Sequence, residues 1–129
     1  MLSIAMGIIE TTYDLPKDLT IIKAVGKMKP DDFHEWTARY YAGTVTLHSL
    51  WDLTQADLSD ISTDDIRYDA LQTKYLAIRR KGGKTAIVAG NAFEYGLSRM
   101  LETFYDLQEM PFDVQAFRTI DHARDWLGV

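Results

Sequence analysis

The sequence predicts an α/β fold: a mixed, mainly parallel sheet of about five strands with about four helices, in the order ββαβαβαβα. Short runs rich in β-branched and aromatic residues alternate with longer segments of helical period, so most successive strands need a crossover and pair in parallel. The first two runs are joined instead by the short Asp14-Leu15-Pro16-Lys17-Asp18 stretch, where proline presets φ for a turn, giving an antiparallel hairpin. At 129 residues the chain suits one domain over residues 1–129, with no repeat, linker or low-complexity segment.

Gly7–Tyr13 and Leu19–Val25 are the hairpin strands. Pro30 in a first turn, followed by Asp31 and Asp32 at the positive end of the dipole, opens a helix reaching about Ala42. Phe33, Trp36, Tyr40 and Tyr41 form its apolar side. Val45–Leu53 is the next strand. Ser62 is a plausible N-cap for a long helix, with Asp65 three residues on as its capping-box partner. That helix carries Ile66, Ala70 and Ala77 beside Tyr68, Leu71, Tyr75 and Ile78; Arg79, Arg80 and Lys81 complement its C-terminus, and Gly82-Gly83 stops it. Lys84–Ala89 is short and apolar, as an interior strand should be. Asn91 with Glu94 caps a third helix with a stripe of Phe93, Leu97, Met100, Leu101, Phe104 and Leu107, ended by Pro111. Asp113–Phe117 and Thr119–Gly128 supply the last strand and helix.

Composition narrows the function classes. Fourteen basic against nineteen acidic residues give a formal charge of −5, which disfavours phosphate-backbone binding and so nucleic acid. There is no cysteine, which excludes disulfides, thiol nucleophiles and cysteine-based metal sites. Met1–Met6 lacks the basic region and apolar core of a secretory signal, and no apolar run approaches the ~20 residues of a membrane span. The expectation is a soluble cytoplasmic protein without an integral membrane segment.

Thr46–Ile66 is the segment to examine for function: a strand runs into an acid-rich loop and then a capped helix start, the strand-end position where open α/β sheets bind ligands. Its candidate residues are Asp57, Ser59, Asp60, Ser62, Thr63, Asp64 and Asp65. Phosphate on Ser59, Ser62 or Thr63 would gain from the helix dipole but meet the neighbouring acids, so it would act by repulsion. The plainer assignment makes Ser62 a cap and the acids first-turn stabilisers. A cation site at Asp57, Asp60, Asp64 and Asp65 lacks the glycine and distal glutamate of a calcium loop, so no metal and no cofactor are expected. Gly83-Lys84-Thr85 resembles the end of a phosphate-binding loop, but Ile78 stands where the first glycine is needed and the order is helix then strand. His34, His48 and His122 form no pair; His48 is the one expected near the strand-end crevice, as a sheet-face side chain. Trp36, Tyr40 and Tyr41 are ordinary core, lining for an apolar ligand cavity, or a self-association face.

With this element order, the chain resembles the STAS domain, the fold of anti-sigma-factor antagonists, and within it the SpoIIAA-like branch of small bacterial proteins grouped with Sec14-type lipid-binding domains. The resemblance rests on the hairpin, on Leu50-Trp51-Asp52-Leu53-Thr54, and on Phe117-Arg118 followed by Ala123 and Trp126-Leu127-Gly128. It implies a non-enzymatic regulatory domain that docks a protein partner through residues 54–66. The antagonists carry an Asp-Ser-Ser-Gly motif with a phosphorylated serine there; this chain reads Leu58-Ser59-Asp60-Ile61-Ser62-Thr63, so the switch does not carry over. The alternative is a small apolar or lipid-like ligand held between sheet and helices. An enzyme ranks third, because the titratable groups assemble no acid–base or nucleophile set. Exposed edge strands and the aromatic first helix make a homodimer plausible.

Overall fold

The strands β1 (Ile8–Asp14), β2 (Leu19–Lys27), β3 (His48–Asp57), β4 (Lys84–Val88) and β5 (Asp113–Phe117) form one sheet in sequential order, β1 antiparallel to β2 and the rest parallel. The computed structural model describes residues 6–129. Four helices connect or follow the strands: α1 (Pro30–Ala42), α2 (Thr63–Leu76), α3 (Ala92–Leu107) and α4 (Ile120–Leu127). Because each parallel strand lies beside its predecessor and the crossovers share one hand, α1, α2 and α3 lie on one face. α4 covers the other, packing Ala123 and Leu127 on Leu19, Leu50, Ala86 and Val88. Leu50, at 2 % exposure in the middle strand, contributes about 2 kcal/mol by burial.

The expected element order and sheet type are those observed, and several boundaries differ. β3 starts at His48 and continues to Asp57, beyond the expected Leu53. Its polar end is held because β2 also runs on: Val25 pairs with Gln55, Gly26 with Ala56 and Lys27 with Asp57. The acid-rich loop is therefore only residues 58–62. α2 stops at Leu76 and a 3-10 turn, Ala77–Arg80, carries the chain to the glycines. On α3 the expected stripe is rotated: Phe93 and Leu107 are 52 % and 71 % exposed, whereas Glu94, Ser98 and Tyr105 are buried. Asn91 makes no side-chain cap bond, and Glu94 instead accepts from the Leu58 N–H at 3.2 Å, tying α3 to the loop after β3.

The turn between β1 and β2 anchors the amino end of the parallel strands. Asp18 takes the left-handed conformation (φ 50°), tolerated by a short polar side chain. Its carbonyl accepts from His48 N–H at 2.9 Å and its carboxylate from Leu47 N–H at 2.9 Å.

Candidate functional site

Between the sheet and α1–α3 lies a partly open cavity of about 120 Å³. The alternation of β3 and β4 sets one wall, with Ser49, Trp51 and Leu53 facing it beside Thr85 and Ile87. From Ser49 to Leu53 the wall runs roughly 13 Å at 3.3 Å per residue. α1 supplies Phe33, Trp36, Tyr40 and Tyr41; α2 supplies Ile66, Asp69 and Thr73; α3 supplies Leu97, Ser98, Leu101 and Tyr105. Trp36 stacks on Tyr40 (centroids 4.7 Å, 13°) and meets Trp51 edge-on at 4.7 Å, while its indole N–H donates to Thr11 at 2.9 Å. The aromatics of α1 thus point inward, which takes them off any outer self-association face. The exposed apolar residues include Tyr68, Leu71, Tyr75 and Ile78 on α2 and the turn after it, Ile8 and Tyr13 on β1, and Phe93 and Leu107 on α3.

Polar groups sit at defined points of this apolar wall. Asp69 accepts from the Tyr105 hydroxyl at 2.7 Å, with Thr73 Oγ1 3.3 Å from the same phenol oxygen. Burial pushes the Asp69 carboxyl up, and burial followed by the nearby Asp69 charge pushes the Tyr105 phenol well up. At the amino end of the strands, Tyr40 Oη, Thr20 and Thr46 form a buried hydroxyl cluster with oxygens 2.6–3.2 Å apart. Beside it Arg80, 3 % exposed, reaches Thr85 Oγ1 at 2.6 Å, the Leu47 and Lys84 carbonyls at 3.3 Å, and Tyr41 Oη at 3.4 Å. Its guanidinium lies 4.1 Å from the Phe112 ring centroid. Burial raises the Tyr41 phenol pKa, opposed by the Arg80 charge.

The sequence did not single out Asp69, Arg80, Ser98 or Tyr105 as site residues. A signal existed for two of them: Ile66, Asp69, Thr73, Ala77 and Arg80 follow three- and four-residue spacing, placing two charged residues on the inner stripe of α2 and its trailing turn. His48 is not near the strand-end crevice. It starts β3 at the opposite end, where Nδ1 accepts from Lys84 N–H at 3.1 Å and burial lowers its pKa. His34 is the histidine that faces the cavity.

No protein-family model and no curated protein matches the chain. Among solved structures it is similar to an uncharacterised DUF3478-family protein with a SpoIIAA-like fold from Shewanella loihica PV-4. The likeness has 20 % identity, covers 98 % of each chain and gives a TM-score of 0.59. The fold is SpoIIAA-like.

In this SpoIIAA-like domain the 58–62 loop and the start of α2 keep the strand-end position and spend their side chains locally. Ser62 Oγ accepts from Asp65 N–H at 3.2 Å, and Asp65 accepts from Ser62 N–H at 2.8 Å, a complete capping box. Asp64 pairs with Arg67 at 2.9 Å and Asp60 with Lys27 at 3.7 Å. Asp57 accepts from Ser59 N–H at 2.9 Å; hydrogen bonds from Ser59 hold its carboxyl below the usual range. Ser59 and Thr63 are exposed. Among the described residues no three His, Asp or Glu side chains converge as a metal site, and no helix is long and apolar enough to cross a membrane. Removing the cap with Ser62→Ala should cost about 1 kcal/mol, read as a lower urea midpoint with an unchanged slope.

Proposed function

We propose that this SpoIIAA-like protein is a non-enzymatic binding module that holds a small, largely apolar molecule between its sheet and α1–α3. The observation that carries this reading is the cavity, walled by aromatic and aliphatic side chains with a few polar groups placed at fixed points, the usual make-up of a ligand site. Its volume is near the ~150 Å³ that accommodates a benzene ring, so a single ring or short chain fits and a longer tail protrudes through the opening.

Docking of a protein partner through residues 54–66 draws its support from one shared feature. Leu58, Ile61, Asp65 and Ile66 turn inward to the cavity while Ser59, Asp60, Thr63 and Asp64 remain exposed. A bound molecule and a docked partner would therefore touch opposite sides of the same loop, and occupancy would bias docking. This is how a binding module of this fold would serve regulation.

Trp36 and Trp51 line the cavity and report on it by fluorescence. Titration with toluene or 1-hexanol should give a saturable emission change in the wild type. Ser98→Leu, which fills the cavity from the buried face of α3, should abolish that change while leaving the melting temperature equal or higher. No saturable change in the wild type, or an equal response in Ser98→Leu, overturns the reading.

A further inference from the structure

We propose that the molecule held in this cavity carries a carboxylate and that Arg80, with Tyr41 beside it, binds that carboxylate at the amino end of the parallel strands. The inference rests on the cavity being a ligand site and specifies the chemistry of what enters it.

The first observation is charge. Arg80 is buried, and among the described residues no carboxylate lies within ion-pair distance of it; the ion pairs present are Lys17–Asp14, Lys27–Asp60, His34–Asp31, Arg67–Asp64 and Arg99–Glu102. A buried cation without an anion is costly, and proteins accept that cost where a counter-charge arrives from outside. The guanidinium instead rests on the Phe112 ring and on neutral oxygens.

The second observation is hydrogen-bond bookkeeping. A guanidinium has five N–H donors, and Arg80 makes four bonds, three through Nε and Nη2 and one 3.4 Å contact from Nη1 to Tyr41 Oη. One Nη1 proton is unused. Tyr41 Oη accepts that contact, and its own proton meets no described acceptor. Thr85 accepts from Arg80 and shares one proton with Ser49, 2.8 Å away, so this hydroxyl pair also has a proton left over. Arg80, Tyr41, Ser49 and Thr85 all line the cavity. This end of the cavity offers three spare donors and a positive charge. A carboxylate oxygen pair matches such a donor set, and planar guanidinium–carboxylate pairing is the strong form of this contact.

The cavity has a polarity along its length. The other titratable side chains with charge that face it are His34, Asp65 and Asp69. Asp69 is held by the Tyr105 hydroxyl eleven residues before Arg80, its charge still felt at Tyr41, and Asp65 lies one turn earlier still. An acid therefore enters with its head toward Ser49 and Thr85 and its apolar tail along Trp51, Leu53 and Leu101.

The test compares hexanoate with hexanamide and 1-hexanol at neutral pH, following tryptophan emission and confirming by calorimetry. In the wild type hexanoate should bind at least tenfold tighter than hexanamide. In Arg80→Met that ratio should fall to about one. Tyr41→Phe, which removes the spare phenol proton together with the oxygen that accepts from Arg80 Nη1, should lower the ratio severalfold and serves if Arg80→Met does not fold. Hexanamide or hexanol binding as well as hexanoate, or a ratio unchanged in both variants, overturns the carboxylate assignment and leaves the ligand cavity standing. Binding of none of the three overturns both.

Discussion

Gly83→Ala is expected to be among the most damaging single substitutions in this protein, costing about 3 kcal/mol or more of folding stability. A Cβ at Gly83 would lie 2.0 Å from the Leu47 carbonyl oxygen and 3.0 Å from the Arg80 carbonyl oxygen. Both obstacles are backbone, so no side-chain rotation relieves the clash. Leu47 is held by Asp18, and its carbonyl accepts from Arg80 Nε. Moving it would disturb the start of β3 and the Arg80 end of the cavity together. The contrasting case is Gly96→Ala: Gly96 is inside α3 with open space around it, so alanine should stabilise by about 0.5–1 kcal/mol through helix propensity. Urea midpoints of the two variants on either side of wild type would check the assignment; equal midpoints would refute the close approach.

Trp36→Ala should cost about 3–5 kcal/mol. The residue is 8 % exposed and stacked on Tyr40; it meets Trp51 edge-on and donates its indole N–H to Thr11 on the edge strand β1. Truncation removes the buried ring area, two aromatic contacts and the hydrogen bond joining α1 to the hairpin. Trp36→Phe keeps a ring against Tyr40 and Trp51 and loses the indole donor, so a loss near 1 kcal/mol is expected. Chemical unfolding of the pair separates the packing contribution from the hydrogen bond. A loss below about 1 kcal/mol for the alanine variant would mean that α1 does not depend on this anchor.

Gly83 also shows what a linear sequence conveys and what it conceals. Gly83-Lys84-Thr85 has the look of a phosphate loop, and its position between helix and strand excludes one. The glycine's actual requirement is a contact with Leu47, thirty-six residues earlier, which no local pattern encodes. The strand and helix order was legible because side-chain period and turn residues are local properties. The end of β3 was not, because Gln55 and Asp57 look like loop residues and become strand through pairing with β2. Trp36, Tyr40 and Tyr41 were visible as an apolar group on a helix. That they wall a cavity depends on how α2 and α3 pack beside them. Arg80 was the least legible: among three successive basic residues at a helix end it reads as a complement to the dipole. Its three- and four-residue spacing from Thr73 and Ala77, carried on through the 3-10 turn after Leu76, is the one local sign that it faces inward. The acids of residues 57–65 were legible as a group, and the structure gives Asp57, Asp60, Asp64 and Asp65 local partners.

Intermolecular nuclear Overhauser contacts between hexanoate and the wild-type protein test the central claim most directly. The cavity reading predicts contacts from the hexanoate chain to ring protons of Trp36 and Trp51 and to methyl groups of Leu53 and Leu101, with none to Tyr75 or Ile78 on the outer face of the chain. Contacts confined to those exposed residues, or none at saturating hexanoate, would contradict it.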